Sequence, residues 1–328
     1  MGRPIAAGAM CALLVACSES PPAGSATTTA TSVGGSATGA GGGATTNTGQ
    51  GGSPGGGGSP GVGGQGGSCG AFPPAPNQDW QAQGPFNTTA LTSGPSDAFR
   101  IYQPDPLGDG GLRHPIVVFS VGTGGFPAAY SLLLERIASH GFVVIAGNDG
   151  NQAEGDQALA GLTWLLDQND LSGSLWEAKL DPGRIAATGH SQGGNAALHV
   201  ALKSTEVGAV LARMPGEGTL GGATKADESL VTAPVFYICG GDDLIVPEQW
   251  CLDRFANTVA PAWVGVEIPA SHSSVRQDTA EGAEIRYWSI AWLRALLLDD
   301  CQAQPLFYGD PFALTVDADW RSVDRKNI

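Results

Sequence analysis

The chain has 328 residues, 42% of them hydrophobic, with 50 glycines and a formal charge of −15. All of that charge except Arg3 and Glu19 lies beyond residue 68, so the part able to fold is strongly acidic. Such a surface repels nucleic acid and anionic membrane alike and disfavours both as partners.

The first twenty residues, MGRPIAAGAMCALLVACSES, carry one basic residue and then a short apolar run from Ile5 to Ala16. The run is too short to span a bilayer and has the form of an export signal. From Ser18 to Ser68 almost only Gly, Ser, Thr, Ala and Pro occur. That composition buries too little apolar area to offset chain entropy, which predicts a flexible linker over 18–68. Residues 69–328 have globular composition and are long enough for one large domain.

Within that domain the predicted elements alternate. HPIVVFSVG (114–122) is a continuous apolar run, the mark of a strand buried on both faces. Tyr130, Leu133, Leu134 and Ile137 then share one helical face, with a stop near Gly141. FVVIAGN (142–148) reads as a strand, the stretch around Ala158–Leu166 as a helix, and RIAATGHS (184–191) as a strand running directly into a helix, NAALHVALK (195–203). VGAVLAR (207–213), PVFYICG (234–240) and VGVEIP (264–269) complete a parallel series, and a long helix spans Ala283–Leu298. The pattern predicts an α/β fold, a mostly parallel central sheet with helices on both faces.

Gly-x-Ser-x-Gly occurs four times, centred on Ser53, Ser59, Ser68 and Ser191. The first three lie in the linker, with no strand before them and no helix after. Ser191 alone sits at a strand–helix joint, where Gly189, Gly193 and Gly194 let the two elements approach and the helix N-terminus faces any developing oxyanion. Neither a P-loop lysine nor Gly-x-Gly-x-x-Gly accompanies it. A serine nucleophile needs a base, and the base needs an orienting carboxylate. Among the five histidines, His114, His140, His190 and His199 suit capping, elbow or packing roles, while His272 lies in a loop after the last predicted strand. Asp242 and Asp243 follow the strand PVFYICG. The chain order serine, aspartate, histidine is then that of α/β-hydrolases.

GHSQGG, DDLIVP, SHSS and RIASHGFVV (136–144) together resemble the α/β-hydrolase superfamily, specifically its branch of bacterial cutinases, poly(ethylene terephthalate) hydrolases and lipases. The resemblance implies an α/β-hydrolase fold and a serine esterase with catalytic Ser191, His272 and Asp243, Asp242 being the alternative acid. It implies oxyanion N–H groups at Gln192 and, counting back from RIASHG, at Thr123. Phe126, His190 and Met214 become candidates for lining the acyl pocket. The sequence departs from that branch in carrying threonine where a large aromatic commonly stands, in lacking a tryptophan after ARMPGEG (212–218), and in Ser274, which replaces a cysteine after the base. The last difference favours pairing Cys239 with Cys251, which flank one strand–loop–helix unit, and leaves Cys69 with Cys301. An even set of four cysteines in an exported domain suits two disulfides better than zinc.

Leu14-Val15-Ala16-Cys17 resembles the lipobox of bacterial lipoproteins, which implies a signal peptide over 1–17, lipid on Cys17 and an outer-membrane or surface anchor. The expected partners are a small or lipid-like ester substrate, and the membrane only through that anchor. No cofactor or metal is called for, and the domain is expected to act as a monomer. An acyltransferase or peptidase on the same fold, or a catalytically silent anchored binding module, are the competing readings.

Overall fold

The computed structural model describes residues 70–150, 152, 154–218 and 223–328. The expected signal peptide with Cys17, the linker and Cys69 lie outside these residues. Nine strands form one sheet: β1 (Thr88–Ser93), β2 (Phe99–Pro104), β3 (His114–Ser120), β4 (Val143–Gly147), β5 (Leu180–His190), β6 (Ala209–Arg213), β7 (Val235–Gly240), β8 (Ala262–Glu267) and β9 (Trp320–Lys326). Their order is β1-β2-β4-β3-β5-β6-β7-β8-β9. The six strands from β4 to β8 in that order run parallel, while β1, β2 and β9 are joined antiparallel at the two ends.

The central strands are built from unbroken apolar runs because both of their faces are covered. Every residue of β3, β4, β6, β7 and β8 is buried. Successive side chains alternate between the faces. Val117, Phe119, Val144, Leu211 and Phe236 point to the layer that contains α1 (Ser131–Ser139), α5 (Ala280–Leu297) and α6 (Gln304–Tyr308). Ile116, Val118, Ile145, Val210 and Tyr237 point to the layer of α2 (Asp156–Asp170), α3 (Gln192–Lys203) and α4 (Glu248–Asn257). Among the described residues no helix is long and apolar enough to cross a membrane.

The sheet is therefore the mostly parallel α/β-hydrolase sheet expected, with three strands that the sequence reading missed. VGVEIP does not hold the last strand, because β9 follows the long helix and pairs antiparallel with β8. Nor does HPIVVFSVG hold the first, since β1 and β2 precede it. These three strands lie at or next to an edge and carry polar residues such as TTALTS and WRSVDRK. Charge on an outer strand guards its unpaired backbone and hides the apolar run that would announce it.

The chain moves from β3 to β4 on one side and then returns to β5 on the other, so the sheet reverses its winding beside β3. Loops leaving the carboxyl ends of strands diverge at such a point and open a crevice. The loops after β3 and β5 meet there, with Ser120 and Gly189 in register.

The end of β8 holds a buried carboxyl group, Glu267, whose two oxygens have no hydrogen-bond partner among the described residues. Burial, reinforced by the charges of Glu284, Glu281, Asp319 and Asp317, pushes its pKa up from 4.5 to about 9. The folded protein keeps a proton that the unfolded chain releases above about pH 4.5, so this contribution to stability declines from there as pH rises toward 9. Glu267→Gln cannot ionise and should gain melting temperature over wild type progressively between pH 5 and pH 9. Thermal unfolding followed by circular dichroism checks this. A difference that stays constant with pH would refute it.

Candidate active site

Ser191 stands between the last residue of β5 and the first of α3, at φ +60° and ψ −124°. A residue with a β-carbon is strained there, and the conformation persists only where its surroundings enforce it. Here the Ser191 N–H donates to the Arg213 carbonyl at 3.0 Å. Its carbonyl accepts from Gly194 at 2.9 Å, Gly216 at 3.0 Å and Asn195 at 3.2 Å. The turn closes only because backbones touch: a β-carbon on Gly189 would lie 2.0 Å from the Gly193 carbonyl oxygen, and one on Gly193 would lie 2.0 Å from that of Ser120.

His272 projects from the loop between β8 and α5. Its Nε2 lies 2.9 Å from Ser191 Oγ, and its Nδ1 lies 2.7 Å from Asp243 Oδ2. The second carboxylate oxygen of Asp243 accepts the N–H groups of Ile245 and Val246, both at 2.8 Å. With its side chain fully buried, Asp243 is thus held at both ends. Asp242 does not reach the histidine ring. Its N–H donates to the Ala270 carbonyl at 3.0 Å and binds the acid loop to the histidine loop. The Cys239–Cys251 disulfide closes the same acid loop from below. Cys301 is also disulfide-bonded, and its expected partner Cys69 lies outside the described residues.

The arrangement can move a proton from a hydroxyl to an imidazole whose far nitrogen is fixed by a carboxylate. Gln192, the first residue of α3, follows Ser191 directly, and the loop after β3 carries Thr123. In that loop the Gly122, Gly124 and Gly125 N–H groups all have intramolecular acceptors, whereas that of exposed Thr123 has none among the described residues.

The other histidines are engaged elsewhere. His114 Nδ1 lies 2.8 Å from the Gly141 carbonyl, His140 Nε2 lies 3.2 Å from that of Ala82, and His199 Nε2 lies 2.9 Å from that of Thr224. Burial pushes His140 down to about 3, aided by the Arg294 charge, so it stays neutral.

Two pocket expectations need correction. Met214 is fully buried in the core, and His190 is only 2% exposed, so neither presents surface to a ligand. The chain runs through φ +44° at Met214, and its side chain points inward to pack at Gly240. His190 lies behind His272, with ring centroids 4.5 Å apart. Phe126, in contrast, is 61% exposed beside the Thr123 loop. Sequence periodicity placed Tyr130 on an ordinary helix face, but it ends a short 3-10 turn, Pro127–Tyr130, and its hydroxyl reaches His190.

The sheet, the elbow and the order of the side chains define an α/β-hydrolase. Residues 71–319 match the PET hydrolase-like family, and the chain belongs to it. It is similar to Cutinase est1 of Thermobifida alba, 26% identical over 257 residues that make up 72% of this chain and 84% of that one. It also resembles Cutinase 1 of Thermobifida cellulosilytica, 25% identical over 66% of this chain and 87% of that protein. It is similar as well to the bis(hydroxyethyl) terephthalate hydrolase of Streptomyces coelicolor, 25% identical over 61% of this chain and 62% of that protein.

The contact at Gly193 yields a stability prediction. Gly193→Ala forces a methyl group against the Ser120 backbone and should destabilise the domain by at least ~1–3 kcal/mol, the usual cost of overpacking. A denaturant midpoint unchanged from wild type would show that the elbow can relax around the added carbon.

Proposed function

We propose that this carboxylic ester hydrolase works through an acyl-enzyme on Ser191, with His272 as base, Asp243 as its orienting acid, and the Thr123 and Gln192 N–H groups as the oxyanion hole. The observation that carries the reading is the unbroken chain from Ser191 Oγ through both ring nitrogens of His272 to Asp243, at 2.9 and 2.7 Å. His272 takes the hydroxyl proton as Ser191 attacks the ester carbonyl. Asp243 accepts from Nδ1–H, which leaves Nε2 free to receive that proton, and its negative charge favours the imidazolium that results. The alcohol leaves with the proton, and water repeats the sequence on the acyl-enzyme. Each oxyanion donor is worth on the order of 10²–10³ in rate.

The substrate class is a small or lipid-like ester. One relative is named for hydrolysis of a terephthalate ester, which supports ester chemistry in general. Thr123 offers no aromatic wall to a rigid ring, a departure that leaves the ester chemistry itself intact. Ser191→Ala should abolish both p-nitrophenyl butyrate turnover and fluorophosphonate labelling. Asp243→Asn should lower kcat by about 10⁴ with the fold intact, because it stabilises the wrong tautomer. Labelling that survives in Ser191→Ala removes the serine from the mechanism.

The remaining proposals concern location. We place the domain outside the cytoplasm as a monomer on a linker, anchored through lipid on Cys17. The Cys239–Cys251 disulfide supports an oxidising compartment. Wild type should incorporate radiolabelled palmitate, and Cys17→Ala should not. Equal incorporation by both would rule out the anchor.

A further inference from the structure

We infer that the Tyr130 hydroxyl is a positioning group for ester hydrolysis, tying the oxyanion loop to the nucleophile elbow. This rests on the roles given above to Ser191 and Thr123. Tyr130 is 2% exposed, and the reaction as written does not use it. Its hydroxyl accepts the Gly122 N–H at 3.0 Å and lies 2.9 Å from His190 Nδ1. Gly122 immediately precedes Thr123, and His190 immediately precedes Ser191. One oxygen atom therefore joins the residue before an oxyanion donor to the residue before the nucleophile.

The Gly122 N–H takes one lone pair of the Tyr130 oxygen, and the hydroxyl shares one hydrogen with His190 Nδ1, the donor being set by the ring tautomer. Burial pushes the ring well below the usual histidine range, and the nearby His272 and Arg276 charges act in the same direction. A neutral His190 suits its place, because a second cation 4.5 Å from the His272 ring would oppose proton uptake there. The third loop of the site is drawn in as well, since the Arg276 guanidinium lies 5.9 Å from the centre of the Tyr130 ring.

The packing leaves little slack. A β-carbon on Gly122 would lie 3.1 Å from the Tyr130 hydroxyl, 3.2 Å from Ser191 Cβ and 3.3 Å from His190 Nδ1. The oxyanion loop rests against the nucleophile itself, and the hydroxyl keeps it there. Without the hydroxyl, Gly122 and His190 each lose a partner, the loop can drift, and the Thr123 N–H no longer meets the oxyanion at the required distance. Misplacement by about an ångström is enough to cost on the order of 10²-fold in rate.

The test compares Tyr130→Phe with Tyr237→Phe. Tyr237 also buries a hydroxyl, bonded to Thr258 at 2.8 Å, but on the opposite face of the sheet. Tyr130→Phe should lower kcat on p-nitrophenyl butyrate roughly ten- to thirtyfold with KM little changed. It should weaken inhibition by 1-butaneboronic acid, which forms a tetrahedral adduct, in parallel with kcat/KM. Tyr237→Phe should reduce melting temperature while leaving both readouts at wild-type values. Equal kcat in the two variants overturns the inference. A second pair guards against misfolding: His190→Asn places an amide group where Nδ1 stood and should retain more activity than His190→Ala, and equal losses in these two overturn it also. Ser191→Ala, measured alongside, separates the two levels. Activity surviving in that variant sinks the reading of the reaction, whereas an inactive Ser191→Ala beside an unimpaired Tyr130→Phe sinks this inference alone.

Discussion

Contact between three backbones, at Ser120, Gly189 and Gly193, is the constraint on which the site depends. Atoms separated this closely leave no room for a β-carbon on either glycine. The contact pins the start of α3 to the ends of β3 and β5 and forces Ser191 into its strained conformation, paired through both its N–H and its carbonyl. Strain of this kind costs on the order of 1–3 kcal/mol and is tolerated because the two-layered core fixes the strands on either side. Ser191 is thus positioned by parts of the chain that have no chemistry of their own.

Asp243 and His272 are held by a different means. Their loops leave adjacent strands, β7 and β8, and are joined by backbone hydrogen bonds from Gly241 to Glu267 and from Asp242 to Ala270. Asp243 is buried, yet each of its oxygens has a partner. Glu267, at the end of the neighbouring strand and also buried, has no such partners among the described residues and is pushed toward its neutral form. Two carboxyl groups in one corner of the fold thus differ in whether their oxygens are hydrogen-bonded.

Much of this was legible in the sequence, for physical reasons. The buried parallel strands announce themselves as apolar runs. Ser191, Asp243 and His272 stand out because each follows such a run, where a loop begins at the carboxyl edge of the sheet. The edge strands were not legible, since their outward faces are polar. Nor were the roles of buried side chains. His190 and Met214 lie beside functional positions in sequence, but backbone direction turns both inward. Tyr130 fits a helical period and so reads as core, and nothing in its spacing discloses that its hydroxyl bridges two loops. A tyrosine among leucines on an otherwise aliphatic face was the one available hint, because a buried phenol requires a partner.

The acid loop has a further consequence. Cys239 and Cys251, twelve positions apart, turn it into a covalent ring that has Asp243 on its inner side. The outer side is occupied by Leu244 and Ile245, which are 96% and 60% exposed. A ring restrained by its own crosslink and by backbone amides does not rely on those two side chains for its shape. They are free to be exchanged, generation by generation, without disturbing the carboxylate beneath them. In this corner of the protein, the outer surface can therefore vary independently of the geometry it covers.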